Sequence, residues 1–464
     1  MIILCLILLG NIGKKRIFCV SSILRDINKF KYLPQNLKTS RPQFKYLPQN
    51  LKTLKPQNLN LSISLKTSKP QNLKKMSIFK TILSVSAREV RILISHPIYL
   101  VSMVVLPLLV CLYFTSLMNE GQPVEMPVGV VDNDNTSTTR KLTRTLDSFE
   151  TTKVVAHYAT VDEARQAVQR GEIYAFMYFP AHTTDDLLAS RQPKVSFYYS
   201  STSITAGSLL FRDLKTMCVL GSAAVGQATM QAKGYTPEQI TAFLQPVAID
   251  LHTVGNPWVN YNVYLSTMLV PGCLLLFIFL ITPYSMGTEI KFGTSKELMK
   301  TADDSALLAV VGKLLPQTVI FLAVMYASMI YMFGMLHFPA PGGKGMLFLL
   351  GLLSVIASQG FGLFIFGLMP ALRMSMSICS LWGVLSFSMV GSAFPVQAMD
   401  APIQMLSWLF PLRHYYLIYQ LCVFNSFPLN YASAHVVALL AFALLPFLVI
   451  KRIGKAWRTY EYMP

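Results

Sequence analysis

SMGTEIKFGTSKELMKTADDSALLAVVGKLLPQ, Ser285 to Gln317, is a polar stretch set between two apolar runs. It carries Glu289, Lys291, Lys296, Glu297, Lys300, Asp303, Asp304 and Lys313, whereas the run before it, Val263 to Met286, has no charged residue. An ionised side chain costs about 3 kcal/mol or more at the centre of a bilayer. The stretch is therefore expected to lie outside hydrocarbon, as a short loop in the water on one side of a membrane.

Composition extends this reading to the whole chain. With 53% hydrophobic and only 13% charged residues, the 464-residue sequence is too apolar for an ordinary soluble domain. The formal charge of +18 is unevenly placed: residues 1–75 hold fifteen Lys/Arg and one acid, Asp26, which leaves +4 for residues 76–464. Those first residues contain a tandem repeat, FKYLPQNLKTSRPQ from Phe30 and FKYLPQNLKTLKPQ from Phe44, then a degraded copy ending at Gln71. Two prolines per unit and no apolar period cannot build a packed repeat. Residues 1–75 are expected to be a disordered basic leader or a mis-assigned start ahead of Met76; a tail for anionic lipid or nucleic acid is the less favoured reading.

Residues 76–96 read either as an amphipathic helix at the interface, with Ile78, Ile82, Val85 and Leu93 against Lys80, Arg88, Glu89 and Arg91, or as a soluble lead-in to the first span. Residues 97–117 form the first crossing, with a kink expected at Pro107. Residues 118–258 alternate strand-like runs (MPVGVVD, KVVAHY, IYAFMYF, KVSFYYS) with helix-like ones, the pattern of an α/β domain. Its single cysteine, Cys218, allows no internal disulfide. Residues 259–450 hold five more apolar runs, at 261–284, 306–335, 346–369, 374–394 and 431–450. Alternation places loop 285–305, Arg373 and the basic tail 451–464 inside, which is also where Lys and Arg cluster. The fold class expected is thus an α-helical polytopic membrane protein with six transmembrane helices, both termini inside, and an extracytoplasmic α/β domain between helices one and two. Residues 395–430, apolar but broken by Pro395, Pro402 and Pro411, are expected to form a re-entrant segment between helices five and six, with a loop packed on the external domain as the alternative.

In their order, spacing and membrane placement, the residues of these loops resemble the permease subunits of type 2 ABC transporters. Glu289, Gly293, Thr294 and Leu298, then Gly312, Lys313 and Pro316, are similar to the family's first cytoplasmic loop. Gly391, Phe394, Pro395, Met399, Pro411, Tyr415 and Tyr416 are similar to its closing segment, although Met399-Asp400-Ala401-Pro402 departs from the usual Met-Pro. A large external domain after the first span is like the drug-export branch of paired permeases in Gram-negative inner membranes. The resemblance implies a multidrug-type exporter subunit, moving a hydrophobic or amphipathic substrate and working as a homo- or heterodimer. It further implies a separate cytoplasmic ABC ATPase that carries ATP and Mg, and a periplasmic adaptor. On this reading Glu289, Gly293, Thr294, Lys296, Glu297, Leu298, Gly312 and Lys313 couple to the ATPase. Phe394, Pro395, Met399, Pro411, His414 and Tyr415 belong to the re-entrant exit segment.

The residues themselves point the same way on energy supply. No G-x-x-x-x-G-K-[ST] loop occurs, since Gly312-Lys313 is followed by Leu, so the chain is not expected to be an enzyme or to bind a cofactor. The seven histidines show no metal-ligand spacing, and His414 is expected to pack or to meet lipid headgroups rather than to sense pH. Crossings two to six, as drawn, contain no carboxylate, which argues against a proton-coupled transporter. A scaffold or receptor whose external domain binds a protein is the competing reading, and an intramembrane enzyme a distant third.

Overall fold

In the computed structural model of the protein, residues 77–460 are described except 190, 248–249, 251, 253–255 and 257–258. The repeat leader, residues 1–75, and the last four residues of the tail lie outside the described residues.

Helix α1, Ile78–Ser95, buries Thr81, Val85, Ser86, Glu89 and Leu93, a stripe at helical spacing. Ile78, Phe79, Leu83, Val90 and Ile94 are exposed. The buried stripe is mixed rather than purely apolar, and Glu89, expected on the solvated side, is turned into the protein. Helix α2, Pro97–Leu117, widens into a π turn at Val101–Val105. Pro107 explains the turn: its ring crowds the carbonyl four residues earlier, at Met103, and a wider turn relieves the clash.

Between α2 and the next long helix lies a four-stranded sheet in the order β2-β1-β3-β4. Its elements are β1 (Met126–Asp132), α3 (Ser137–Asp147), β2 (Thr152–His157), α4 (Val161–Gln169), β3 (Ala175–Phe179), α5 (Thr183–Leu188) and β4 (Ser196–Tyr199). β1 runs parallel to both neighbours and β4 is antiparallel to β3. Both faces of β1 are covered, which its nearly continuous apolar sequence requires. Val128 and Val130 pack with Leu146 of α3 and Leu210 and Leu214 of the following helix, α6 (Ile204–Ala232). Val131 packs on the other side with Ala164 and Ala167 of α4. Helix α7, Pro237–Leu244, starts at a reciprocal cap between Thr236 and Gln239 with Pro237 in its first turn.

The remaining helices are α8 (Tyr261–Lys291), α9 (Ser295–Thr301), α10 (Ala306–Met335), α11 (Lys344–Leu368) and α12 (Leu372–Met389). They are followed by α13 (Ala401–Ser407), α14 (Pro411–Ile418), α15 (Ser433–Leu444) and α16 (Pro446–Thr459). Among the described residues, five stretches are long and apolar enough to cross a membrane: α2, α8, α10, α11 and Leu429–Thr459. The run expected as a fifth crossing, α12, is not among them; Arg373 and five serines in eighteen residues dilute its apolar character. It nevertheless buries Cys379 in the same core as Ile278 and Phe279 of α8 and Val355 of α11.

One expected boundary moves: Ser285 to Lys291 are the last turns of α8 rather than loop. Helix α10 begins at Ala306, where the crossing was expected, so Lys313 sits two turns inside it. The basic tail is helical as far as Thr459, and Ile453, Ala456 and Trp457 are buried. Residues 395–430 form a 3-10 turn (Val396–Ala398), α13, and an almost wholly buried α14 that widens into a π turn at Tyr419–Phe424.

Candidate functional site

Where α1, α8 and α10 meet, three ionisable side chains lie at the centre of the packing: Glu89, Glu289 and Lys313 are each no more than 2% exposed. Lys313 Nζ donates to Glu89 Oε2 at 2.5 Å and to Glu289 Oε1 at 2.8 Å. Arg88 closes the group as a fork, donating to both Glu289 oxygens at 2.8 and 3.0 Å. Burial works against the Arg88 charge, but the Glu289 carboxylate outweighs it and holds the guanidinium above its ordinary pKa. Two cations and two anions balance, the condition under which buried ions are tolerated.

Neutral donors complete the group. Gln317 Nε2 donates to Glu89 Oε1 and to Ser285 Oγ, both at 2.7 Å. Ser285 Oγ donates to Glu89 Oε1 at 3.0 Å, and Thr294 Oγ1 to Glu289 Oε2 at 2.5 Å. Thr294 belongs to the turn between α8 and α9, so one hydrogen bond ties the turn to Glu289 and, through it, to the charged group that joins α8, α10 and α1. The close approach of α1 to α10 depends on Gly312, where a Cβ would stand 2.7 Å from Val85 Cβ. At the same place Ser86 Oγ donates to the Gly312 carbonyl at 2.8 Å.

Below this polar group, α9 is anchored by apolar packing. Leu298 and Met299 are buried with Val85 of α1, Met286 of α8 and Trp457 of α16. Trp457 Nε1 donates to the Met286 carbonyl at 3.3 Å. Asp303 and Asp304 fasten the far end: Thr81 Oγ1 donates to Asp303 at 2.9 Å, and Arg458 pairs with Asp304 at 2.9 Å. What remains open to solvent is one side of the turn and of α9: Lys291, Phe292, Gly293, Lys296, Glu297 and Lys300. Phe292, 66% exposed, is an aromatic ring among charges, and Gly293 takes the left-handed conformation, φ 70°, that the tight turn requires.

The eight expected coupling residues therefore fall into three roles. Glu289, Thr294 and Lys313 meet in the charged group; Gly312 and Leu298 make the packing beneath it; Gly293, Lys296 and Glu297 face out. Glu289 was expected in the 285–305 loop and is buried at the end of α8 instead, so a long helix does carry a buried carboxylate; Lys313 lies within the run expected as a crossing and is its partner. Arg88, Glu89, Ser285 and Gln317 were not singled out from the sequence. Their signal is nonetheless there: Ser285/Glu289 and Lys313/Gln317 are i, i+4 pairs, each a polar stripe on one face of an apolar helix.

The expected exit residues do not form one cluster. Phe394 is 53% exposed, Pro395 and Met399 flank the 3-10 turn, and Pro411 opens α14. His414 and Tyr415 are buried. His414 Nδ1 stands 3.0 Å from His435 Nδ1, and its Nε2 2.9 Å from the Trp408 carbonyl, so this histidine is packed between rings rather than turned to a headgroup.

Compared with known protein families, residues 97–450 match the sequence model of the family described as ABC-2 family transporter protein. No curated protein matches the sequence.

Proposed function

The chain belongs to the ABC-2 family of transporter proteins, as the membrane component of an ABC transporter, and from that premise we propose that it is the permease subunit of an ATP-driven exporter. A separate cytoplasmic ATPase, carrying ATP and Mg, seats the open side of the 291–300 segment in a groove, and a second permease, identical or sister, completes the pore. Six crossings, with α12 as the fifth, put this segment and both termini inside and the sheet outside, in the inner membrane of a Gram-negative cell. The segment containing α13 and α14 dips into the outer leaflet and returns. The cargo is hydrophobic or amphipathic and leaves beside the sheet-bearing domain, where a periplasmic adaptor docks.

One observation supports this reading above the others: the exposed turn at Gly293 is tied through Thr294 and Glu289 to Lys313 and Glu89, so force on the turn reaches α8, α10 and α1 together. A solvated loop of no consequence needs no such anchorage. Moved as a block, these helix ends tilt against the rest of the bundle, a rigid-body route to alternating access. Deleting Gly293 to Leu298 is expected to abolish co-purification of the cognate ATPase while the chain still inserts. Retention of the ATPase would mean that this segment is not where the ATPase docks, and absence of efflux in the next experiment would turn the reading towards a non-transporting scaffold. ATP-dependent dye efflux from proteoliposomes holding both subunits tests transport itself.

A further inference from the structure

We propose that the sheet-bearing segment carries its own binding site for a single-chain anionic amphiphile, of the fatty-acid or alkyl-sulfate kind, in the cavity between α6, α7 and the sheet. The cavity has a volume of about 660 Å³, within the range of sites that hold small ligands. One face of α6 forms its long wall: residues 217, 218, 221, 222, 225, 226, 229, 230 and 233 recur at helical spacing along it. At about 1.5 Å per residue that wall runs on the order of 24 Å, a length suited to an extended chain rather than a compact ring system.

The wall has polarity. At one end Met217 lies among the apolar residues under the sheet, with Phe179 and Leu142. Glycines in the middle let the opposite walls come close: at Gly221 a Cβ would stand 3.1 Å from Leu142, and at Gly226 it would stand 2.7 Å from Leu244 of α7, so the passage between them is narrow. The other end reaches Lys233, just past the last turn of α6. Arg191, exposed and paired only at 3.8 Å with Asp186, is the second cation in the lining. Among the described residues that line the cavity none is acidic. An apolar channel that reaches Lys233 at one end, has Arg191 elsewhere in its lining and is lined by no carboxylate favours a greasy tail with a negative head over a neutral or cationic amphiphile.

This site stands apart from the coupling segment and does not depend on ATP-driven transport. The cavity offers its own reporter in Cys218, a half-buried thiol in the lining. The experiment uses the full chain in nanodiscs and follows Cys218 alkylation by a small maleimide, read on the Cys218 peptide by mass spectrometry. The probes are dodecanoate, dodecanol and dodecyltrimethylammonium. Dodecanoate is expected to slow alkylation about ten-fold, and the other two far less. Arg191→Gln with Lys233→Gln, at exposed positions that do not threaten folding, is expected to remove the preference for the anion. Ser222→Phe, which fills the channel, is expected to remove protection by all three. Equal protection by the anion and the cation, no protection by dodecanoate, or full anion preference in the double variant would each overturn the proposal.

Discussion

Lys313 on α10 and Glu89 on α1 meet at 2.5 Å with both side chains 1% exposed, although they lie 224 residues apart in the chain. With Arg88 and Glu289 they form a neutral set of four charges. The prediction concerns which charge is missed. Lys313→Met leaves two carboxylates facing one guanidinium and is expected to destabilise the protein by about 3–5 kcal/mol, the usual cost of orphaning a buried charge. Removing Glu89 as well, in the Glu89→Gln, Lys313→Met double variant, restores neutrality and is expected to recover part of that loss. Melting followed by fluorescence-detected size exclusion measures both. A double variant no more stable than Lys313→Met alone would show that the pair is not coupled.

Arg88 is expected to separate stability from coupling. Its side chain is 16% exposed and its fork also approaches Glu297 of α9 at 3.9 Å. Arg88→Lys keeps the charge but loses the two-pronged contact with Glu289. Such a protein is expected to melt close to the wild type, yet to show ATPase turnover less stimulated by substrate. Unchanged stimulation would leave Arg88 a structural residue only.

Gly312→Val tests the contact between α1 and α10. Its side chain would have to displace Val85, whose Cβ is within 2.7 Å of where a new Cβ would stand, and overpacking of this kind costs about 1–3 kcal/mol. Because α1 would be pushed away, a cysteine introduced at Ser86 is expected to react with maleimide much faster in the variant than in the wild type. Equal rates would mean that α1 holds its place by other means.

In the sheet-bearing segment, Asp134 accepts from the Thr184 hydroxyl at 2.6 Å, the Thr136 hydroxyl at 2.9 Å and the Thr184 amide at 3.2 Å. Slight burial pushes its pKa up, but these hydrogen bonds outweigh it and hold the carboxyl below its ordinary value. A depressed carboxylate contributes stability that is present above the unfolded pKa, about 3.9, and lost as pH falls through the lower folded value. Asp134→Asn is therefore expected to lower the melting temperature at pH 7, with the gap to wild type closing below about pH 3.9. A gap that stays constant to pH 3 would show the charge to be irrelevant.

The sequence made some of this plain and hid the rest for a physical reason. Alternation and turn chemistry are local, so the four strand-like runs MPVGVVD, KVVAHY, IYAFMYF and KVSFYYS match the strands β1 to β4 within two residues. Of the six apolar runs read as crossings, five belong to helices long and apolar enough to span, and the run at 374–394 does not. Pairing between helices is not local: hydropathy treats each helix alone, so nothing in it joins Glu289 to Lys313, 24 residues on, although each is buried against the other. Glu89 was assigned to the wet side of α1 because its partners lie on α10, out of reach of any local pattern. The helical tail was missed likewise, since Lys451, Arg452 and Lys455 mask the buried stripe of Ile453, Ala456 and Trp457 between them.

Leu298 and Met299 share their buried core with Val85, which precedes the first long helix, and with Trp457, near the end of the last. During synthesis that packing cannot be completed until the final helix has left the ribosome. A chain cut short before Trp457 would keep the apolar part of every long helix and still lack this contact, so it is expected to insert while holding the segment around Gly293 less firmly.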